Sequence, residues 1–316
     1  MSLKRNRLIL LLIKLFISSS LLFAVLSKTG IDKVISTLKD VSIPAMIIVM
    51  FLYVFAQFIS TIRWKLLLPG TLSIRKLFSL YLIGSFFNTL LPGVIGGDAV
   101  KGFYLYQATR NGSLTLASIF MDRYIGFIVL LLICTLAFPF GYKYFQGIII
   151  EWLLPLIVLT FIIASLLTFG FRIGRSIKKI SVFYDYFHKY RNQKNVIAKA
   201  MFLSLLVQLS AIISVNILAL GFGQHIPFLA SLIFIPLIIM FTTVPISIAG
   251  IGIREGAFVL FLGLIGIKPE FATSISLSWF ATIVGASLLG LIEYLRYKKP
   301  AQELELNPGE SQNIKK

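Results

Sequence analysis

The chain has 316 residues, of which 58% are hydrophobic and only 13% are charged. An ordinary soluble domain is about 45–50% apolar, so this composition excludes a water-soluble globular protein and predicts membrane helices. The formal net charge of +18 could suggest nucleic acid, but the lysines and arginines lie in short segments between apolar runs. That distribution is typical of loops that face an anionic membrane surface, and we expect no nucleic-acid partner.

The N-terminal segment begins with basic residues, as a signal peptide does. Its apolar region is long, contains Lys14 and lacks a small-x-small cleavage site, so it is predicted to remain as the first membrane helix. Further apolar stretches of about 20 residues, the length that crosses a bilayer as a helix, follow along the chain. The predicted spans are Leu8 to Leu26, Ile43 to Ile62, Leu114 to Phe140, Ile148 to Phe171, Val196 to Leu220 and Phe271 to Tyr294.

Two other apolar segments, Leu77 to Gln107 and Phe228 to Leu264, are interrupted by clusters of proline and glycine. A broken helix is tolerated in an apolar chain only where the freed backbone groups are buried in protein or line a wet cavity. We therefore predict a re-entrant helix hairpin at each break. The residues of the two break motifs are Pro92, Gly96 and Gly97 in the first, and Pro245, Gly250 and Gly252 in the second.

The two breaks are related by an internal repeat. TLLPGVIGGDAVK, which begins at Thr89, aligns with TTVPISIAGIGIR, which begins at Thr242, at an offset of 153 residues. The same offset superimposes the second span on the fifth and the third on the sixth. This indicates two copies of one unit, residues 1–147 and 148–297.

The basic residues of the loops predict the orientation. With re-entrant hairpins and a cytoplasmic N-terminus, the cytoplasmic side collects 21 lysines and arginines against five outside. Each unit then has three crossings, an odd number, so the second unit is inverted relative to the first. The predicted fold class is an all-α integral membrane protein with six full transmembrane helices and two re-entrant hairpins in two inverted-topology repeats. Residues 298–316 are expected to form a disordered cytoplasmic tail.

Apart from charges nearer the segment ends, such as Lys14, which can snorkel, six charged residues fall within the predicted membrane segments, and each costs about 2.5 kcal/mol or more to insert. Two interpretations of them remain open: neutral ion pairs that only hold the bundle together, or direct contacts to a lipid head group. Free N–H groups at the two helix breaks, together with Lys101 and Arg254, would suit a lipid phosphate. We expect these two bases to line one cavity, each with a carboxylate within pairing distance. The candidate head-group residues are Asp98, Lys101, Asp122, Arg123, Arg254 and Glu255.

An enzyme is less favoured by the sequence. It contains no hydrolase, zinc-protease or nucleotide-binding motif, and its one cysteine, Cys134, lies within an apolar run. The histidines are His188 and His225, both in predicted loops. No catalytic residue, metal site or cofactor is therefore expected, although a membrane enzyme that handles phosphate with Asp98 or Asp122 stays an alternative.

Three motifs carry a family resemblance: FFNTLLPGVIGGDAVKGFYL from Phe86, MDRYIGF from Met121 and PISIAGIGIREGAFV from Pro245. With them the chain resembles the lysylphosphatidylglycerol synthase transmembrane region, also called the flippase-like domain, which forms the N-terminal part of the multiple-peptide-resistance factor. The resemblance covers roughly Leu8 to Tyr297. It implies a multi-pass protein that translocates lipids, with intramembrane charges that match Asp98, Arg123 and Glu255.

The leading expectation is a lipid flippase of the cytoplasmic membrane for a lipid with an anionic phosphate or an aminoacylated head group. It is expected to work without ATP because the sequence contains no nucleotide-binding motif. Larger family members continue into a soluble aminoacyl transferase domain, which we expect to be absent from this chain. The expected partners are a membrane lipid and, as a further possibility, a separate lipid-modifying synthase. The alternative function is a membrane-embedded enzyme or an accessory subunit in phospholipid or glycolipid synthesis.

Overall fold

A computed structural model describes residues 2–68, 70, 72–91, 95–147, 149–170, 193–244 and 246–297. Within these residues the fold is all-α, as predicted, and a π-helical turn extends α7. The α-helices are α1 (Ser2–Thr29), α2 (Ile31–Lys39), α3 (Ile43–Leu66), α4 (Ile74–Leu90), α5 (Ile95–Thr109), α6 (Gly112–Gly141), α7 (Leu153–Ser165), α8 (Lys194–Gly221), α9 (Phe228–Thr243), α10 (Ile253–Gly263) and α11 (Pro269–Arg296).

Six of these helices are long and apolar enough to cross a membrane, and each overlaps one of the six predicted spans. They are α1, α3, α6, α7 with its π-helical turn, α8 and α11. Local sequence fixes several of their starts. The Ser42 side chain accepts a hydrogen bond from the Ala45 N–H at the start of α3, and Asn111 caps α6 in the same way. The six predicted spans are therefore confirmed as membrane-length helices.

Both predicted interruptions are present as breaks between helices. The first separates α4 from α5; Pro92 belongs to it and lies outside the described residues. The second separates α9 from α10, and Ala249, Gly250 and Gly252 adopt φ angles of 51°, 76° and 85° there. Such angles suit glycine, and they turn the chain between the two helices. Pro245 also lies outside the described residues, and the re-entrant course of both hairpins stays a prediction.

Glycine lets α4 approach two other helices closely. A Cβ atom on Gly97 of α5 would lie 1.8 Å from the Gly84 carbonyl oxygen of α4. Likewise, a Cβ on Gly290 of α11 would lie 2.1 Å from the Leu82 carbonyl oxygen. Because real side chains cannot approach a backbone oxygen that closely, these crossings require glycine. They place α5 and α11 against carbonyl groups only two residues apart in α4.

The order of helices repeats along the chain at the offset seen in the sequence. Helices α3 to α6 correspond to α8 to α11, and α1 corresponds to α7. Packing between the two sets is reciprocal: α4 packs on α11, its counterpart α9 packs on α6, and α3 packs on its own counterpart α8. Such exchange is what a twofold relation between the halves requires. The unit boundaries, 1–147 and 148–297, and the inverted orientation stay predictions, and the predicted tail 298–316 lies outside the described residues.

Candidate functional site

Five charged side chains from three helices meet in the first half of the chain. Arg63 comes from the last turns of α3, Asp98 and Lys101 from the start of α5, and Asp122 and Arg123 from the middle of α6. We call these five residues the first charged group. Four of them had been predicted as site residues from their position in apolar segments, and the structure brings those four together.

Asp122 is at the centre of this group and is fully buried. Its Oδ1 atom accepts a hydrogen bond from Arg63 Nε at 2.8 Å, and its Oδ2 atom accepts one from the Tyr81 hydroxyl at 2.9 Å. The same guanidinium donates from Nη1 to Ser204 Oγ of α8, also at 2.8 Å. Arg63 and Asp122 therefore tie α3, α6 and α8 together, and Tyr81 adds α4.

Asp98 and Arg123 form the more open edge of the group. Arg123 donates from Nε and Nη2 to the two oxygens of Asp98, at 2.7 and 3.0 Å, which is the bidentate geometry of a strong pair. The Arg123 side chain is nevertheless 45% exposed, against 14% for Asp98. A guanidinium is costly to expose to hydrocarbon, so water or polar head groups are the expected surroundings of this edge.

Lys101 lies between the two pairs and is 2% exposed. Its Nζ atom is 3.5 Å from Asp98 Oδ1 and 3.6 Å from Asp122 Oδ2, longer than the 2.7–2.9 Å typical of a charge-assisted hydrogen bond. The ammonium is also 4.4 Å from the centre of the Trp64 ring and 4.3 Å from that of Tyr81. The aromatic faces thus help to hold a cation that the carboxylates hold only loosely.

The second half contains a smaller cluster, Arg254 and Glu255 at the start of α10, which we call the second charged group. Arg254 Nη2 donates to Glu255 Oε1 at 2.6 Å, and both side chains are buried. Ser276 of α11 bonds to both of them, at 3.1 Å in each case. The Arg254 guanidinium also lies 4.3 Å from the centre of the Phe280 ring. This is a compact ion pair with its hydrogen bonds largely met.

The sequence predicted free N–H groups, suited to an anion, at the helix starts beside the two charged groups. Two of these N–H groups can be checked, and both have hydrogen-bond partners within the protein. The Gly97 N–H donates to Asn88 Oδ1 at 2.8 Å, and the Gly252 N–H donates to Glu255 Oε2 at 2.6 Å. The side chains of α4 and α10 accept from these two N–H groups, and free N–H groups elsewhere at the breaks stay a prediction. Side chains, rather than helix ends, provide the charge at both breaks.

Each predicted base has a carboxylate within pairing distance, as expected: two for Lys101 and one for Arg254. Among the residues that the structure describes, no ion pair or hydrogen bond joins the first charged group to the second. The two bases lie in separate clusters, and one cavity shared by both stays a prediction.

Among the residues of the first charged group, the sequence interpretation missed Arg63, and it also missed the neighbouring Trp64. It follows directly after the predicted span Ile43 to Ile62 and was counted among the cytoplasmic loop charges. In the structure α3 continues to Leu66, so Arg63 lies within the helix and is 5% exposed. The available signal was the run Arg63-Trp64-Lys65-Leu66, which contains no helix breaker after the apolar segment.

Comparison with known proteins agrees with the architecture. The family model described as the lysylphosphatidylglycerol synthase TM region matches residues 11–290, which include both charged groups. A UPF0104 membrane protein of Methanocaldococcus jannaschii is 22% identical over 323 aligned positions, covering 91% of this chain and 95% of that protein. No solved structure matches the chain.

Proposed function

We propose, since this chain belongs to the lysylphosphatidylglycerol synthase TM region family, that it binds a membrane lipid by its head group and translocates the lipid between leaflets without ATP. The observation that carries the proposal is the first charged group. Five ionisable side chains lie together among apolar helices, where each is costly to bury. Ionisable residues at such positions in membrane proteins usually belong to a functional site.

The arrangement of this group supports contact with a ligand over a purely structural role. Buried ion pairs that only hold a bundle together are most stable when acids and bases balance, because an uncompensated buried charge is costly. Here Arg123 is 45% exposed although it lies in the middle of α6. A head group that slides along this edge would find a guanidinium already held in position by Asp98.

The proposed path for the head group runs along the two broken segments. The first charged group adjoins the break between α4 and α5, and the second adjoins the break between α9 and α10. In transporters built from inverted repeats, sites lie where broken helices meet near the bilayer midplane. In this proposal all six predicted residues, with Arg63 added, line the path, and the two hairpins give access from opposite sides.

We also propose the cytoplasmic membrane as the location, with both termini on the cytoplasmic side. The basis is the excess of basic residues in the loops on that side of the predicted topology. Cysteine labelling would test it: Cys134 is buried, so a single new cysteine at Lys39 or at Lys194 reports one loop each. The proposal expects a membrane-impermeant thiol reagent to label the Lys39 site in intact cells and not the Lys194 site, and the reverse pattern would overturn it.

Reconstitution tests the translocation itself. Purified protein in liposomes that carry a fluorescent lipid should let lipid in the inner leaflet become accessible to an external quencher. The Lys101→Met variant should abolish the exchange, because it removes the buried cation while a methionine still fits between the Trp64 and Tyr81 rings. The matched control is Lys268→Met, which removes an exposed lysine at the start of α11 and should exchange lipid normally. Undiminished exchange by Lys101→Met, or none by the wild-type protein, would contradict the proposal.

The family description supports a second candidate, an accessory subunit of a separate lipid-modifying synthase. In that case the bound lipid would be the product or substrate of the partner. The two functions are separable in the same liposomes. An accessory subunit would leave leaflet asymmetry unchanged when reconstituted alone, and lipid exchange would begin or lipid turnover would rise only after the synthase was added.

A further inference from the structure

The first charged group contains more bases than acids. It holds three cations, Arg63, Lys101 and Arg123, and two anions, Asp98 and Asp122, so its formal charge is +1. The second charged group holds one cation and one anion and is neutral. A surplus charge is unfavourable inside an apolar bundle unless a counter-ion accompanies it. The inference below rests on the proposed function, because it concerns the lipid that would supply that counter-ion.

Lys101 is the residue that carries the surplus. Arg63 and Arg123 each have a close carboxylate, at 2.8 and 2.7 Å. Lys101 has only the more distant oxygens of the same two carboxylates, at 3.5 and 3.6 Å. Its ammonium group, with three N–H donors, is therefore the cation of the group that is least satisfied by protein anions.

A second donor beside Lys101 has no acceptor. The Trp64 side chain is fully buried and its ring flanks the Lys101 ammonium, yet Trp64 Nε1 has no hydrogen-bond partner among the described residues. A buried N–H without an acceptor is rare in native proteins, and such a group often marks a site where a ligand or water completes the network. Lys101 and Trp64 together thus lack one negative charge and at least one acceptor atom.

In the second half, some uncharged hydroxyl groups lack hydrogen-bond partners, but the charges of the second charged group balance. Ser247, Thr273 and Ser274 have buried hydroxyls without partners among the described residues. Hydroxyls can bind uncharged polar groups equally well, so they set no requirement for an anion. Within the described part of the chain, the need for a negative charge is therefore confined to the first half.

We infer that the first charged group binds the phosphate of a lipid with one net negative charge, a phosphodiester such as the phosphate of phosphatidylglycerol. One phosphodiester anion brings the formal charge of the group from +1 to zero. A phosphomonoester, with up to two charges, overcompensates it. An aminoacylated lipid such as lysylphosphatidylglycerol brings a net positive charge to a site that already has a positive surplus.

The test measures retention of lipid separately from lipid movement. The purified full chain, in detergent, is exposed to an equimolar mixture of phosphatidylglycerol, phosphatidate, lysylphosphatidylglycerol and phosphatidylcholine, and the lipid that remains after gel filtration is quantified by mass spectrometry. The wild-type protein should retain phosphatidylglycerol about tenfold over phosphatidylcholine, in line with one additional charge-assisted contact. Retention without this preference, or a preference for lysylphosphatidylglycerol, would overturn the inference.

Variants at Lys101 and Asp98 change the charge of the group by one in either direction. Lys101→Met makes it neutral and should reduce the preference for phosphatidylglycerol to within about twofold of phosphatidylcholine, whereas Lys101→Arg keeps the charge and should keep the preference. Asp98→Asn raises the charge to +2 and should shift retention towards phosphatidate. The control Glu293→Gln removes one negative charge on α11, outside the group, and should leave the preference unchanged. If Asp98→Asn fails to fold, the pair of Lys101 variants decides the question alone, and equal retention of phosphatidylglycerol by Lys101→Met and wild type overturns it.

The leaflet-exchange assay keeps this inference distinct from the proposed function. Selective retention of phosphatidylglycerol without any exchange would support the charge class of the ligand and contradict translocation. Exchange of all four lipids at equal rates, without selective retention, would support translocation and contradict the charge class.

Discussion

The two halves of the molecule share a helix plan but differ in the polarity of corresponding positions. At the offset of 153 residues, Lys101 corresponds to Arg254, so each half keeps one base at its helix break. The other charged positions of the first half are uncharged in the second: Arg63, Asp98, Asp122 and Arg123 correspond to Asn216, Ile251, Ile275 and Ser276. The helices that build the two regions are therefore the same, while the charge chemistry is concentrated in one of them.

This difference explains how Arg254 is stabilised. In the first half the base at the break shares carboxylates supplied by α5 and α6. Those carboxylates have no acidic counterparts in the second half, and Arg254 is paired with the next residue in the chain, Glu255, whose first-half equivalent is Gly102. One half contains a network of five charges spread over three helices, and the other contains a local, self-sufficient pair.

Removing the centre of the network should have the largest effect. Asp122→Asn leaves Arg63 without its close carboxylate and deprives Lys101 of one of its two. Loss of one partner from a buried ion pair is destabilising by about 3–5 kcal/mol, so we expect the free energy of unfolding to fall by that amount. Unfolding in mixed micelles with increasing sodium dodecyl sulfate would measure it.

The matched control for this change is Asp32→Asn on α2, where the carboxylate is exposed and the same chemical substitution should alter stability by less than about 0.5 kcal/mol. A loss below about 1 kcal/mol for Asp122→Asn would show that the first charged group is not a coupled network, and the contrast between the halves would disappear.

Sequence alone located the ionisable residues because charges within apolar stretches stand out, and six of the seven residues in the two groups were predicted in this way. Arg63 was missed because it lies one residue beyond the apolar run, where a loop and a further helical turn have the same composition. The six membrane-length helices and both breaks followed from the hydropathy pattern and from proline and glycine. Helix α2 was not among the predicted elements, although Ile31, Val34, Ile35 and Leu38 follow the i, i+3, i+4, i+7 spacing of an amphipathic helix.

The pairing of the charges could not be read from the sequence. Arg63 and Asp122 are 59 positions apart, and Arg63 and Ser204 are 141 positions apart, so only the packing of α3 between α6 and α8 brings them together. The same limit applies to the helix ends. Sequence indicated free N–H groups at the breaks, but Asn88, which satisfies the Gly97 N–H, is brought there by the close crossing of α4 and α5.

Substitutions in the second charged group test the comparison of the two halves through losses of stability of intermediate size. Glu255→Gln should destabilise the protein by about 3 kcal/mol, since Arg254 would be left as an uncompensated buried cation. In Arg254→Met/Glu255→Gln both charges are gone, and we expect the loss to shrink to about 1 kcal/mol, because replacing both members of a buried pair by neutral groups is often tolerated. The glutamine can still accept the hydrogen bond from the Gly252 N–H.

The corresponding double substitution in the first half should not regain the stability that the single substitution loses. Arg63→Met/Asp122→Asn removes one pair, but Lys101 loses one of its two carboxylates and must share the other, Asp98, with Arg123. A double-mutant cycle for each half measures the difference directly. Full recovery of the Arg63→Met/Asp122→Asn protein would show that both halves contain simple pairs.

Among the single substitutions at the two charged groups, the smallest effect is expected at Tyr81, where the two halves differ by a single hydroxyl. Its counterpart is Phe234, also buried, so a phenyl ring is already accepted at this position of the repeat. Tyr81→Phe removes the hydrogen bond to Asp122 Oδ2 and keeps the ring face beneath Lys101. Hydrogen bonds to charged groups contribute about 1.5–3 kcal/mol, and because Asp122 retains Arg63 and Lys101 we expect a loss near the lower limit, about 1.5 kcal/mol. Tyr106→Phe on the exposed face of α5 is the control, with no expected change in the free energy of unfolding.

The formal charge of the first charged group is unaltered in Tyr81→Phe, so this variant should also keep the preference for phosphatidylglycerol. A loss of that preference at near-normal stability would mean that hydrogen bonding, rather than net charge, selects the lipid.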